Sequence, residues 1–83
     1  MRPEVWLNGA FVSATEARVP VFDAGLQHGI GLFETMLAKN GRVFRVDAHL
    51  RRLAESASIL GLTKSIPMER LRAATVATVE RSG

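Results

Sequence analysis

Cysteine and tyrosine are both missing from this sequence, and tryptophan occurs once. Without cysteine there is no disulfide, no thiolate metal site and no cysteine nucleophile. With one Trp and no Tyr, few side chains offer a platform on which bases stack. No hydrophobic run is long enough for a membrane span or a signal peptide, which makes the cytoplasm the default location. Histidine occurs only at positions 28 and 49. Two imidazoles without nearby acidic or thiolate ligands do not make a metal site, so no metal is expected.

What is present is a basic chain with a net charge of +3, in which nine of the eleven bases are arginine. The bases are scattered and interleaved with acids, which describes a solvated basic surface better than a phosphate-tracking stripe, and no nucleic-acid partner is expected. Its 83 residues make one domain with a small core. There is no repeat, linker or low-complexity segment.

Local signals give the element order. In "EVWLNGAFV", Asn8-Gly9 suits a two-residue turn with positive φ at both positions, pairing Val5–Leu7 with Ala10–Val12 and setting Trp6 opposite Phe11. Pro20 argues for an irregular segment after it. In "LFETMLAKNGRVFRV", Asn40-Gly41 supplies a second turn, so Lys39 faces Arg42, Leu37 faces Phe44 and Met36 faces Arg45. Alternation places Phe33, Thr35 and Leu37 on one face, and Leu32, Glu34 and Met36 on the other, with Arg45 as a diagonal partner for Glu34. Both faces are largely apolar, which predicts a strand covered on both sides. Asp47 is a good N-cap for a helix over 47–60 with the stripe Leu50, Leu53, Ala57 and Leu60, stopped by Gly61. His49, Arg52 and Ser56 form a polar line along that helix. A last helix over about 67–81 begins at Pro67. The fold class is α+β: one antiparallel sheet built from the two Asn-Gly hairpins, with both helices packed against it.

Few residues invite chemistry. Gly25, Gly29 and Gly31 precede a strand, the wrong order for a Walker loop or a dinucleotide fingerprint, and read as turn or close-approach positions. His28 and His49 read as structural or exposed. Arg51 and Arg52 point about a hundred degrees apart on their helix. An inward arginine needs an anion, because it cannot be neutralised by losing a proton; a carboxylate such as Glu34 or a bound phosphate would serve.

The segments "WLNGAFV", "EARVPVFDAGLQHGIGLFETM" and "NGRVFRVDAHLRRLAESASILGL" together resemble the amino-terminal part of the class IV, or fold-type IV, pyridoxal-phosphate aminotransferases. The family includes branched-chain and D-amino-acid aminotransferases, (R)-selective amine transaminases and 4-amino-4-deoxychorismate lyases. The resemblance is close from Trp6 to about Leu62. It implies pyridoxal 5′-phosphate as cofactor, amino acid and 2-oxo acid as substrates, and a homodimer. Arg52 stands at the position of the arginine that holds the cofactor phosphate. Phe33 stands at the position of a pocket aromatic, with Thr35 and Leu37 on the same wall. His28 matches a position often held by tyrosine that helps form the pocket across the dimer, and it departs from that pattern.

The resemblance also implies what is lacking. The lysine that binds the cofactor aldehyde covalently, and the acid that pairs with its ring nitrogen, lie beyond residue 83 in family members. Lys39 flanks a turn and Lys64 sits between helices, so neither matches, and no catalytic residue is assigned within the chain. Residues 1–83 then form the small domain of a two-domain enzyme whose carboxy-terminal domain supplies the lysine. By itself the chain would expose an apolar patch around Phe33 and Leu37. The strand reads Phe33-Glu34-Thr35-Met36-Leu37 instead of the Phe-Glu-Gly-Ile-Arg usual in branched-chain enzymes, a form closer to the lyase and D-amino-acid branches. A free-standing, non-enzymatic α+β binding module is the competing reading from another class.

Overall fold

A computed structural model describes residues 4–62 and 65–82. The order is β1 (Val5–Leu7), β2 (Ala10–Val12), α1 (Ala24–His28), β3 (Ala38–Lys39), β4 (Arg42–Val43), α2 (Val46–Ile59) and α3 (Met68–Arg81). The domain is α+β, as its sequence predicts, but the strands form two separate two-stranded antiparallel ladders and not one sheet.

In the first ladder Leu7 pairs with Ala10, and the two residues between them, Asn8 and Gly9, have φ of 49° and 97°. Trp6 lies opposite Phe11. The second ladder pairs Ala38 with Val43 and Lys39 with Arg42 around Asn40 and Gly41, and Phe44 N–H donates to the Leu37 carbonyl at 2.8 Å. It goes no further. Arg45 has φ 56° and turns the chain directly into α2, so the expected pairing of Met36 with Arg45 is not made.

Residues 31–37 form no helix and sit in no ladder. Their alternation nevertheless holds: Leu32, Glu34 and Met36 are half-buried while Phe33, Thr35 and Leu37 are exposed. The expectation that this strand is covered on both sides is therefore corrected. α3 lies along the inner side, where Met36 shares a groove with Leu71 and Thr75, whereas Phe33 is 86% exposed on the outer one.

Arg45, not Asp47, is the N-cap of α2, and no side chain caps that end. Asp47 sits inside the first turn, where its charge complements the helix dipole, and it accepts a 3.0 Å bond from Arg72 Nε on α3. The far end of α2 closes as a Schellman motif: Gly61 (φ 70°) donates to the Ser58 carbonyl and Leu62 to that of Ala57. Leu60, expected on the apolar stripe, falls at this cap and is exposed; Val46 takes its place beside Leu50 and Ala57 in the buried core. α3 packs on α2, β4 and β1. Arg70 and Arg81 of α3 lie over the rings of Trp6 and Phe11, 5.7 and 3.9 Å from the centroids, and hold the first hairpin down.

Candidate functional site

Glu34 is the inward residue of the segment whose outward residues are Phe33 and Thr35. Its carboxylate, 11% exposed, reaches across to the polar line of α2. Arg52 donates twice, Nε to Oε2 at 2.9 Å and Nη2 to Oε1 at 2.7 Å. His49, one turn earlier, places Nδ1 at 2.6 Å from Oε1. An ionised carboxylate only accepts, so the Nδ1 proton is on the histidine and is donated to Glu34. The Arg52 bonds first, and the His49 bond second, lower the Glu34 pKa from its ordinary 4.5 to about 2. Arg52 is shifted upward in turn by the same carboxylate.

Two partners are expected for Glu34 from the sequence, Arg45 diagonally across the second ladder or an inward arginine of α2. The structure gives it Arg52 and His49, because Arg45 turns the chain at the N-cap instead of extending β4 beside residue 34. His49 is the functional candidate that sequence reasoning missed. Its signal was present, since His49 and Arg52 are three apart on one helical line and bring both heads to a single carboxylate.

Arg45, Ala48, His49 and Arg52 line a hollow of about 130 Å³. Two arginines and a histidine among four lining residues are the side-chain types suited to an anion such as phosphate. Arg52 spends two of its five N–H donors on Glu34 and remains 66% exposed. The donors fit the phosphate end of pyridoxal phosphate. Among the described residues Lys39 lines a different hollow, with Asn40, Gly41 and Thr78, while Lys64 lies outside them. Among the described residues no group of three His, Asp or Glu is placed to hold a metal.

The other expected site residues fall in two places. Phe33, Thr35 and Leu37 are together on the open face of the strand. His28 ends α1, a five-residue helix that the sequence reading did not anticipate, and is exposed. Asp23 caps that helix by accepting from Gly25 N–H at 2.8 Å, and Gly29 ends it in the left-handed region at φ 65°. Gly25 is a close-approach position, since a Cβ there would meet the Asp23 carboxylate and the Ile30 carbonyl; nothing lies near Gly31. The glycines shape a turn leading into the strand, and α1 supplies no Walker-type cradle.

The family model described as Amino-transferase class IV matches residues 31–83, which hold Glu34, His49 and Arg52. Over 68 residues the chain is 40% identical to a Methanocaldococcus jannaschii protein named "Putative branched-chain-amino-acid aminotransferase", covering 82% of this chain and 24% of that one. It is 38% identical to a D-alanine aminotransferase of Staphylococcus aureus and 35% identical to one of Staphylococcus epidermidis, with the same coverage. The chain thus spans about a quarter of the length of the curated relatives it matches. No solved structure matches it at a significant level.

Proposed function

Because this chain belongs to the class IV aminotransferases, we propose that it is the small domain of an enzyme that moves an amino group between an amino acid, of branched-chain or D type, and a 2-oxo acid. The cofactor is pyridoxal 5′-phosphate, and Arg52 is its phosphate ligand. The observation that carries this reading is the hollow lined by Arg45, His49 and Arg52. A guanidinium fork matches phosphate oxygens and keeps its charge at any working pH.

When bound, the cofactor supplies an electron sink for the carbanion formed at the substrate α-carbon. This chain's own residues bind and shape. Arg52 holds the phosphate with donors that Glu34 leaves unused, and Arg45 and His49 add positive charge or hydrogen bonds around it. Phe33, Thr35 and Leu37 form one wall of the substrate pocket, with His28 at its approach. The exposure of that wall supports a second domain closing over it, carrying the lysine and the ring-nitrogen acid, in a homodimer. A cytoplasmic location fits the reading, and no helix among the described residues is long and apolar enough to cross a membrane.

The Phe33-Glu34-Thr35 sequence keeps a second reading open, an aminodeoxychorismate lyase of the same family. The complete protein, assayed with pyridoxal phosphate, 2-oxoglutarate and either D-alanine or L-leucine, tests the proposal. Formation of glutamate from one of them supports transfer and names the branch. Release of pyruvate from aminodeoxychorismate, with no glutamate from either amino acid, replaces the transferase with the lyase.

A further inference from the structure

We propose that Glu34 is a positioning residue for the phosphate site: its carboxylate fixes the guanidinium of Arg52 so that the remaining donors face the hollow, and His49 fixes Glu34. This rests on the reading of Arg52 as the phosphate ligand and goes beyond it, because Glu34 and His49 act through Arg52.

Three observations carry the inference. The first is geometric. A long arginine on a helix surface samples many rotamers, and ordering it costs side-chain entropy. Two parallel bonds at 2.9 and 2.7 Å remove that freedom before any anion arrives and set the plane of the fork.

The second is the histidine. His49 donates to the same Oε1 that accepts from Arg52 Nη2, at 2.6 Å. Glu34 is therefore held from two points on α2, one turn apart, and cannot swing away with the arginine.

The third is the strand. Residues 31–37 belong to no ladder, so the Glu34 carboxylate is the polar tie between this segment and α2. Alternation makes the consequence specific, since a strand pinned at inward Glu34 presents Phe33 and Thr35 outward. One carboxylate thus sets both the phosphate-gripping fork and the pocket wall. The interaction is an odd one for binding alone, because a negative charge beside an anion site weakens attraction. Its contribution is orientation.

The test is the dissociation constant for pyridoxal phosphate in the complete protein, measured by equilibrium dialysis, with thermal midpoints to check folding. Arg52→Ala tests the underlying reading: an unchanged constant removes Arg52 as the ligand. With Arg52 confirmed, Glu34→Gln should weaken binding by roughly three- to tenfold, the range for one net hydrogen bond. In the Arg52→Ala background the same Glu34→Gln step should cost nothing more, since a residue acting through Arg52 has nothing left to act on. Losses that multiply would overturn the proposal and leave Glu34 as a separate structural contributor. Should Glu34→Gln fail to fold, His49 decides. His49→Asn keeps a donor near the Nδ1 position and should bind close to normally, whereas His49→Ala should bind roughly two- to fivefold more weakly. Equal constants in those two variants would contradict the proposal.

Discussion

The Arg52 guanidinium and the Glu34 carboxylate meet fork to fork, at 2.9 and 2.7 Å, across 18 positions of sequence. Helix α2 and the segment before β3 are tied together by this contact more than by backbone pairing. It has a pH consequence. The Glu34 pKa falls from 4.5 to about 2 on folding, through Arg52 first and His49 second. A carboxylate whose folded pKa is lowered contributes stability above its unfolded value, and that contribution is lost as pH falls through the folded one. Thermal midpoints should therefore fall between about pH 4.5 and 2, and Glu34→Gln should flatten that limb. An acid limb unchanged in the variant would show that the pair adds nothing.

Gly9 should not tolerate a side chain. Its φ is 97°, a region strained for any side chain, and a Cβ there would push aside the flexible end of Arg70, which lies over Trp6. Gly9→Ala is expected to destabilise the domain by about 1–3 kcal/mol, the range for a residue held in a disfavoured backbone region. Denaturant melts compared with Asn8→Gly, which relaxes the neighbouring turn position, check this.

The contact between Asp47 and Arg72 should matter much less. Both side chains are about half exposed, 64% and 47%. Exposed pairs contribute about 0–1 kcal/mol, less at high salt. Asp47→Asn should shift the denaturation midpoint only slightly, whereas Leu50→Ala, at a side chain 3% exposed, should cost about 2–5 kcal/mol.

Much of this was legible in the residues. Asn8-Gly9 and Asn40-Gly41 can be read because only a few residue types accept the backbone they adopt. The two-residue alternation from Leu32 to Leu37 divided the side chains correctly into two faces even though no ladder forms there, but did not show that one of those faces is open. An inward arginine on Glu34 was one of the readings the residues allowed, but the addition of His49 and the loss of Arg45 were not legible. Both depend on Arg45 adopting a positive φ, which an arginine sequence position does not advertise, and which redirects α2 so that His49 and Arg52 reach the carboxylate. For the same reason Asp47 looked like a cap and proved to be a residue of the first turn. α1 escaped notice because five residues carry too little periodicity to announce a helix.

The open face of the strand makes a prediction about association. Phe33 and Leu37 are 86% and 67% exposed and lie on one side of the segment before β3. Soluble monomers rarely leave such patches uncovered. The 83-residue chain alone should self-associate, and Phe33→Ser with Leu37→Ser should lower its sedimentation coefficient toward the monomer value. A wild-type chain that sediments as a monomer at high concentration would contradict this.

On the proposed reading Arg52, and not its neighbour Arg51, grips the cofactor phosphate. The most direct measurement is the dissociation constant for pyridoxal phosphate in the complete protein for Arg52→Ala beside Arg51→Ala, each followed by the absorbance of the bound cofactor. Arg51 is exposed and makes no hydrogen bond to Glu34, so its loss should leave binding close to normal. Loss of Arg52 should weaken binding by about 1.5–3 kcal/mol, the range for a hydrogen bond to a charged group. Equal losses in the two variants, or none in either, would contradict the account.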